Sequence, residues 1–163
     1  MFELGPVRAA VVRCFAEPRA LDVFPPLAST KGRVAPDELW LLGPAAAGPD
    51  LVRRAAAYLA GADPGGLVVD QSEGWSAWTI GGDQALAAFQ RLADFPLPPE
   101  RPAFVQGVVA QVPAKVIVLD DRLHVIVPAQ LDHYVPERVM AACADLKPVL
   151  AQARDFGPGR TSP

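Results

Sequence analysis

The chain has 163 residues, 51% of them apolar, with 18 Asp and Glu against 15 Lys and Arg for a net charge of −3. That length suits one compact domain, and the apolar share supplies a core and excludes wholesale disorder. The absence of a basic excess argues against a surface that tracks nucleic-acid phosphates.

Eighteen prolines and 13 glycines predict stiff loops between short elements. Two cysteines, Cys14 and Cys143, make neither a disulfide framework nor a metal cluster, and read as two buried thiols in a reducing compartment. No apolar run reaches the ~20 residues that a membrane-spanning helix needs. The N-terminal residues lack a signal-peptide pattern, and the expectation is a cytoplasmic protein without a membrane partner.

In chain order, Val7 to Ala16 is a Val- and Ala-rich strand. Glu17 to Pro36 carries four prolines and a glycine and is expected to be an extended loop. Glu38 to Gly43 is a short buried strand, and Asp50 is expected to cap a helix through Ala60, with Leu51, Ala55, Tyr58 and Leu59 near helical spacing. Leu67 to Asp70 is a strand, residues 71–74 a turn, and Trp75 to Ile80 a strand. Alternation places Trp75 and Trp78 on opposite faces of that last strand.

Asp83 is expected to cap a second helix to Ala93, striped by Leu86, Phe89 and Leu92. Phe95 to Pro102 is proline-rich. Three β-like runs follow, within 104–110, 115–119 and 123–127, and Asp132 is expected to cap a helix through Leu146. The predicted class is α+β: a mainly antiparallel sheet with helices packed on one face, in two successive β-α-β type units. The domain is expected over residues 1–150, with a flexible tail over 151–163.

Local chemistry offers little. Asp70, Ser72 and Gly74 read as a structural turn, in which Asp and Ser side chains bond nearby amides and Gly74 supplies an unusual dihedral. His124 sits mid-strand and His133 beside Asp132, with no spacing of a metal site. Gly81-Gly82-Asp83 before a helix has neither the length nor the lysine of a phosphate-binding loop. No catalytic, cofactor-binding or metal-binding residue is expected. Trp40, Trp75, Trp78 and Phe95 are the candidates for a subunit interface, where aromatic side chains are enriched.

Three ordered segments carry a resemblance. Asp37-Glu-Leu-Trp-Leu-Leu-Gly-Pro44 is an acidic residue, a Trp and leucines. Val69-Asp-Gln-Ser-Glu-Gly-Trp75 holds an Asp-x-Ser-x-Gly turn, followed by Ala77-Trp-Thr-Ile-Gly-Gly-Asp83. Phe95-Pro-Leu-Pro-Pro leads into a strand pair and the helix from Asp132. Together they resemble the small γ subunit of heterotetrameric sarcosine oxidase, of the aminomethyltransferase-like folate-binding superfamily. The sequence departs from that pattern at Gln106-Gly-Val-Val-Ala-Gln111 and at Leu131-Asp-His-Tyr134.

The resemblance implies an aminomethyltransferase-like domain and a non-catalytic, structural role. The partners it implies are larger, flavin-carrying α and β subunits of a sarcosine-oxidase-type amine oxidase or demethylating dehydrogenase. FAD, FMN, NAD and tetrahydrofolate would then belong to those partners and not to this chain. The alternatives are a stand-alone folate-binding or one-carbon-transfer protein of the same superfamily, and a free-standing interaction domain.

Overall fold

The computed structural model describes residues Met1–Gly157. Those residues form two compact units. One comprises Met1–Arg8 with Glu73–Arg154, the other Ala9–Ser72 with Asp155–Gly157. The long strand β1 (Phe2–Phe15) contributes its first half to one unit and its second half to the other.

The unit built on Ala9–Ser72 holds α1 (Pro18–Asp22), β2 (Thr30–Ala35), β3 (Glu38–Pro44), α2 (Gly48–Ala62) and β4 (Leu67–Asp70). The second half of β1 pairs antiparallel with β3, from Ala9 opposite Pro44 to Phe15 opposite Glu38, and with β4, from Val12 opposite Asp70. β2 pairs antiparallel with β3 and forms an edge. Leu51, Ala55 and Leu59 recur every four residues and bury one face of α2. They meet Val12, Cys14, Leu39 and Leu41, which alternate along their strands, together with Leu21 and Phe24. The Tyr58 hydroxyl donates to the Ala20 carbonyl at 2.9 Å, tying α2 to α1.

The segment 17–36 is therefore not one long loop. Pro18 sits in the first turn of α1, where no amide donor is lost, and β2 forms although it alternates charged and small residues instead of apolar ones. Asp50 does not cap α2. The helix begins two residues earlier, at Gly48, and Asp50 lies in its first turn, where it pairs with Arg53 and Arg54.

The other unit holds β5 (Trp75–Gly81), α3 (Ala85–Leu92), β6 (Ala103–Val109), β7 (Val112–Val118), β8 (Arg122–Pro128), α4 (Tyr134–Ala142) and β9 (Pro148–Leu150). Its sheet runs β9, the first half of β1, β5, β8, β7, β6. All pairings are antiparallel except β1 with β9. Alternate residues of these strands, among them Leu4, Trp78, Ile80, Val116 and Val125, bury against Phe89 and Leu92 of α3 and Val135 and Val139 of α4. Both helices thus cover one face of the sheet. The opposite face, with Ala77, Thr79, Ile117, His124 and Ile126, is buried as well.

Neither expected cap holds here either. α3 starts after Gln84, and α4 starts after His133 and ends at Ala142. Asp83 instead follows Gly82, whose φ of 96° sharpens the turn out of β5. The expected tail spans 151–163, of which residues 158–163 lie outside the described residues. Before them, Arg154–Asp155 forms the short strand β10 and Phe156 is buried.

Candidate functional site

Trp40, Trp75 and Trp78 are placed by their strands, and Phe95 lies in the segment between α3 and β6. Trp40 lies on β3 opposite Arg13 of β1 and is 1% exposed. Its indole Nε1–H donates to Oε1 of Glu38 at 2.7 Å, and the same oxygen accepts from Arg13 Nε at 2.7 Å. Arg13 also donates to Gln71 at 2.6 Å and stands 4.8 Å from the Phe15 ring centre. This cluster satisfies a buried indole and a guanidinium with one carboxylate, which is a structural use of Trp40.

Trp78 faces the helix layer, and its Nε1–H donates to Asp132 at 3.0 Å. Trp75, on the other face, is half-buried with the Lys115 ammonium 5.7 Å from its ring centre. Phe95 is half-buried and meets Phe89 edge-to-face at 5.7 Å between ring centres.

The Asp70 carboxylate accepts from the Ser72 backbone N–H at 3.0 Å and from its hydroxyl at 2.6 Å. The Ser72 hydroxyl oxygen also accepts from the Val11 backbone N–H at 3.0 Å. Gly74 differs from expectation: the positive φ falls at Gly82, not at Gly74, because a 3-10 turn over Ser72–Gly74 makes the bend with ordinary dihedrals.

Cys14 and Cys143 are both buried thiols, and burial pushes Cys14 up to about 12. Burial also raises Cys143. Among the described residues no group of three or more His, Cys, Asp or Glu side chains is arranged to hold a metal ion.

A cleft that sequence reasoning missed lies within the unit built on Glu73–Arg154. It has a volume of about 580 Å³ and gathers Glu3, Thr79, Gly82, Asp83, Arg122 and Arg154 among its lining. Arg154 donates to Glu3 at 2.8 Å, and Arg122 donates through Nε to Asp121 at 2.9 Å. Hydrogen bonding to Asp121 raises Arg122 above its ordinary value. Both guanidinium groups are thus already matched with carboxylates, and Asp83 and Asp120 add two further carboxylates, which leaves a polar rim with more acidic than basic side chains. These residues come from the chain start, the β5 end, the β7–β8 turn and Arg154, so no local spacing announces them. The one visible signal was Gly81-Gly82-Asp83, which borders the cleft.

No family model and no curated protein matches the sequence. Solved structures match in shape. One is a chain of heterotetrameric sarcosine oxidase from Corynebacterium sp. U-96, solved in complex with pyrrole 2-carboxylate. It superimposes with a TM-score of 0.72 over 88% of this chain and 84% of that one, at 17% identity. The glycine cleavage system aminomethyltransferase T from Bartonella henselae matches at 0.63 and 12% identity, over 92% of this chain and 47% of its own. This chain therefore spans about half the length of that protein. The ligand-free regulatory subunit of aspartate kinase from Thermus thermophilus matches at 0.53 and 16% identity, over 87% and 97%. At such identities the likeness is one of fold: an α+β chain with a mostly antiparallel sheet, resembling a chain of heterotetrameric sarcosine oxidase.

Proposed function

We propose that this chain is a non-catalytic, accessory subunit of a heterotetrameric, flavin-dependent amine oxidase or demethylating dehydrogenase of sarcosine-oxidase type, with an aminomethyltransferase-like domain. The observation that carries the reading is reciprocal coverage together with a TM-score of 0.72; the aspartate kinase regulatory subunit is covered as fully but superimposes at only 0.53. The chain matches a chain of a heterotetramer over nearly the whole of both, 88% and 84%, whereas it matches only 47% of the aminomethyltransferase. A whole-length match to a component of an assembly favours a component's role over that of a self-contained one-carbon-transfer enzyme.

On this reading larger α and β subunits carry FAD, FMN, NAD and tetrahydrofolate, and the complex works in the cytoplasm. Half-buried Trp75 is the candidate anchor for a partner, since an amphipathic ring beside a cation suits an interface. The test is co-expression with the neighbouring gene products, followed by native mass and an absorption spectrum. The expected result is a hetero-oligomer with flavin absorption, and a colourless isolated chain that turns over no methylated amine. A chain that purifies alone from the co-expression, or that carries its own chromophore, refutes the reading.

A further inference from the structure

β6 ends the sheet of its unit, and its seven residues, Ala-Phe-Val-Gln-Gly-Val-Val, carry neither charge nor proline. Val108 on it is 50% exposed. An uncharged, β-branched edge strand is a template for pairing with another chain. The edge strand β2, by contrast, carries Lys31 and Arg33, charges that oppose such pairing.

The outer edge of β6 is met by the segment that follows α3. The Ala110 backbone N–H donates to the Leu92 carbonyl at 2.7 Å, and Ala93 bridges Val109 antiparallel. Continuing that register places Phe95 beside Gly107, and there the Phe95 ring lies: a Cβ on Gly107 would sit 2.5 Å from Phe95 Cε1. The same register places Leu97 beside Val105, and Phe95, Leu97 and Val105 all pack on the one core. Pro96, Pro98 and Pro99 intervene. The Leu92 carbonyl faces β6, so in the same register the backbone nitrogens of residues 96 and 98 also face β6; as prolines they have no N–H to give it, and beyond residue 94 side chains rather than ladder bonds hold the segment on the edge.

We propose that Leu92–Pro99 is a proline strap, anchored by Phe95 on Gly107, that guards the β6 edge against pairing with β6 of a second copy of this chain. The glycine makes room for the ring, and the ring holds down a strap whose prolines leave it few backbone bonds of its own to β6. The proposal is independent of the assembly reading, because it concerns the chain by itself.

The experiment compares the full-length chain, Phe95→Ala and Phe95→Ala/Val108→Lys by light-scattering mass over a range of concentrations, with far- and near-ultraviolet circular dichroism. The expected result is a wild-type mass independent of concentration. The mass of Phe95→Ala should at least double as concentration rises, and the lysine on β6 should return it to the wild-type value. Leu97→Ser, which keeps the Phe95–Phe89 contact and removes the second apolar hold of the strap, should also associate, and it decides the matter if Phe95→Ala loses its near-ultraviolet signal. An unchanged mass for folded Phe95→Ala, association that the Val108→Lys charge does not suppress, or a folded Leu97→Ser chain whose mass stays at the wild-type value would overturn the proposal.

Discussion

The indole of Trp78, on β5, donates to the carboxylate of Asp132 in the turn before α4, at 3.0 Å. Trp78 is 8% exposed, so its N–H has little other access to an acceptor. Asp132→Ala removes that acceptor and is expected to cost about 1–3 kcal/mol, the range for stranding a buried donor. Asp132→Asn keeps an oxygen in place and should cost less than half as much. Urea denaturation of the two variants checks the order; equal losses would show that the bond is not what Asp132 contributes.

Phe95 and Gly107 give a second test. A methyl at position 107 would lie 2.5 Å from Cε1 and 2.7 Å from Cδ1 of the ring, closer than packed carbon atoms allow. The ring cannot withdraw freely, because Phe89 meets it on another side. Gly107→Ala is therefore expected to lose about 1–3 kcal/mol to overpacking, although alanine is otherwise the better strand residue. In Phe95→Ala the same methyl has space. A double-mutant cycle should then show strong non-additivity, and additive losses would contradict the contact.

How much of this was legible in the sequence differs by element. Strands dense in β-branched and apolar residues, such as β7 and β8, were readable from composition, and helices with an apolar stripe, such as α2, because periodicity reports which face is buried. Helix starts were misplaced because an Asp near a start has several acceptor tasks open to it. Asp50 pairs with arginines in its own first turn, and Asp132 serves Trp78, a residue far away in sequence. β2 escaped notice because an edge strand with charged residues lacks the apolar signature. The cleft with Glu3, Gly82, Arg122 and Arg154 was invisible for a related reason: only the pairing of β1, β5 and β8 brings its parts together.

The β6–β7 turn holds strain that a substitution can release. Val109 pairs with Val112, so Ala110 and Gln111 form a two-residue turn, with φ of 53° and 71°. Left-handed dihedrals at both positions are those of a type I′ turn, in which Gly is preferred second. Gln111 bears the penalty of a side chain in that region, on the order of 1 kcal/mol. Its side chain there accepts an exposed bond from the Tyr134 hydroxyl at 3.3 Å. Gln111→Gly is expected to raise stability by about 0.5–1 kcal/mol, or roughly 1–4 °C in Tm. A thermal melt that falls instead would mean that the Tyr134 bond outweighs the strain.

Glu38 is the hub of the other unit's polar cluster. Its side chain is 13% exposed and that of Arg13 23%. Removing the carboxylate leaves a largely desolvated guanidinium and the Trp40 N–H without their shared acceptor. Glu38→Ala is expected to cost about 2–3 kcal/mol, somewhat below the loss for a fully buried pair because Arg13 keeps some water. Glu38→Gln retains an acceptor for the indole but not the charge, and should fall between wild type and Glu38→Ala. Chemical denaturation, with Trp40 among the reporting fluorophores, measures both.

The thiols supply a test that depends on pH. Burial raises Cys14 from its ordinary value of 9.0 to about 12, because the thiolate is poorly solvated inside the unit. In the unfolded chain the thiol ionises near its ordinary value. Between these two values the native state holds a proton that the unfolded state has released, so stability falls as pH rises. The contribution of Cys14 is complete below about 9 and is lost progressively toward about 12. Cys143, also raised by burial, acts in the same direction. Cys14→Ala/Cys143→Ala should therefore lose less stability than wild type between neutral and strongly alkaline pH. In the native wild type, a thiol reagent at mildly alkaline pH should label neither cysteine until denaturant is added. Rapid labelling of the folded chain, or alkaline destabilisation identical in the double variant, would show that these thiols are not buried as described.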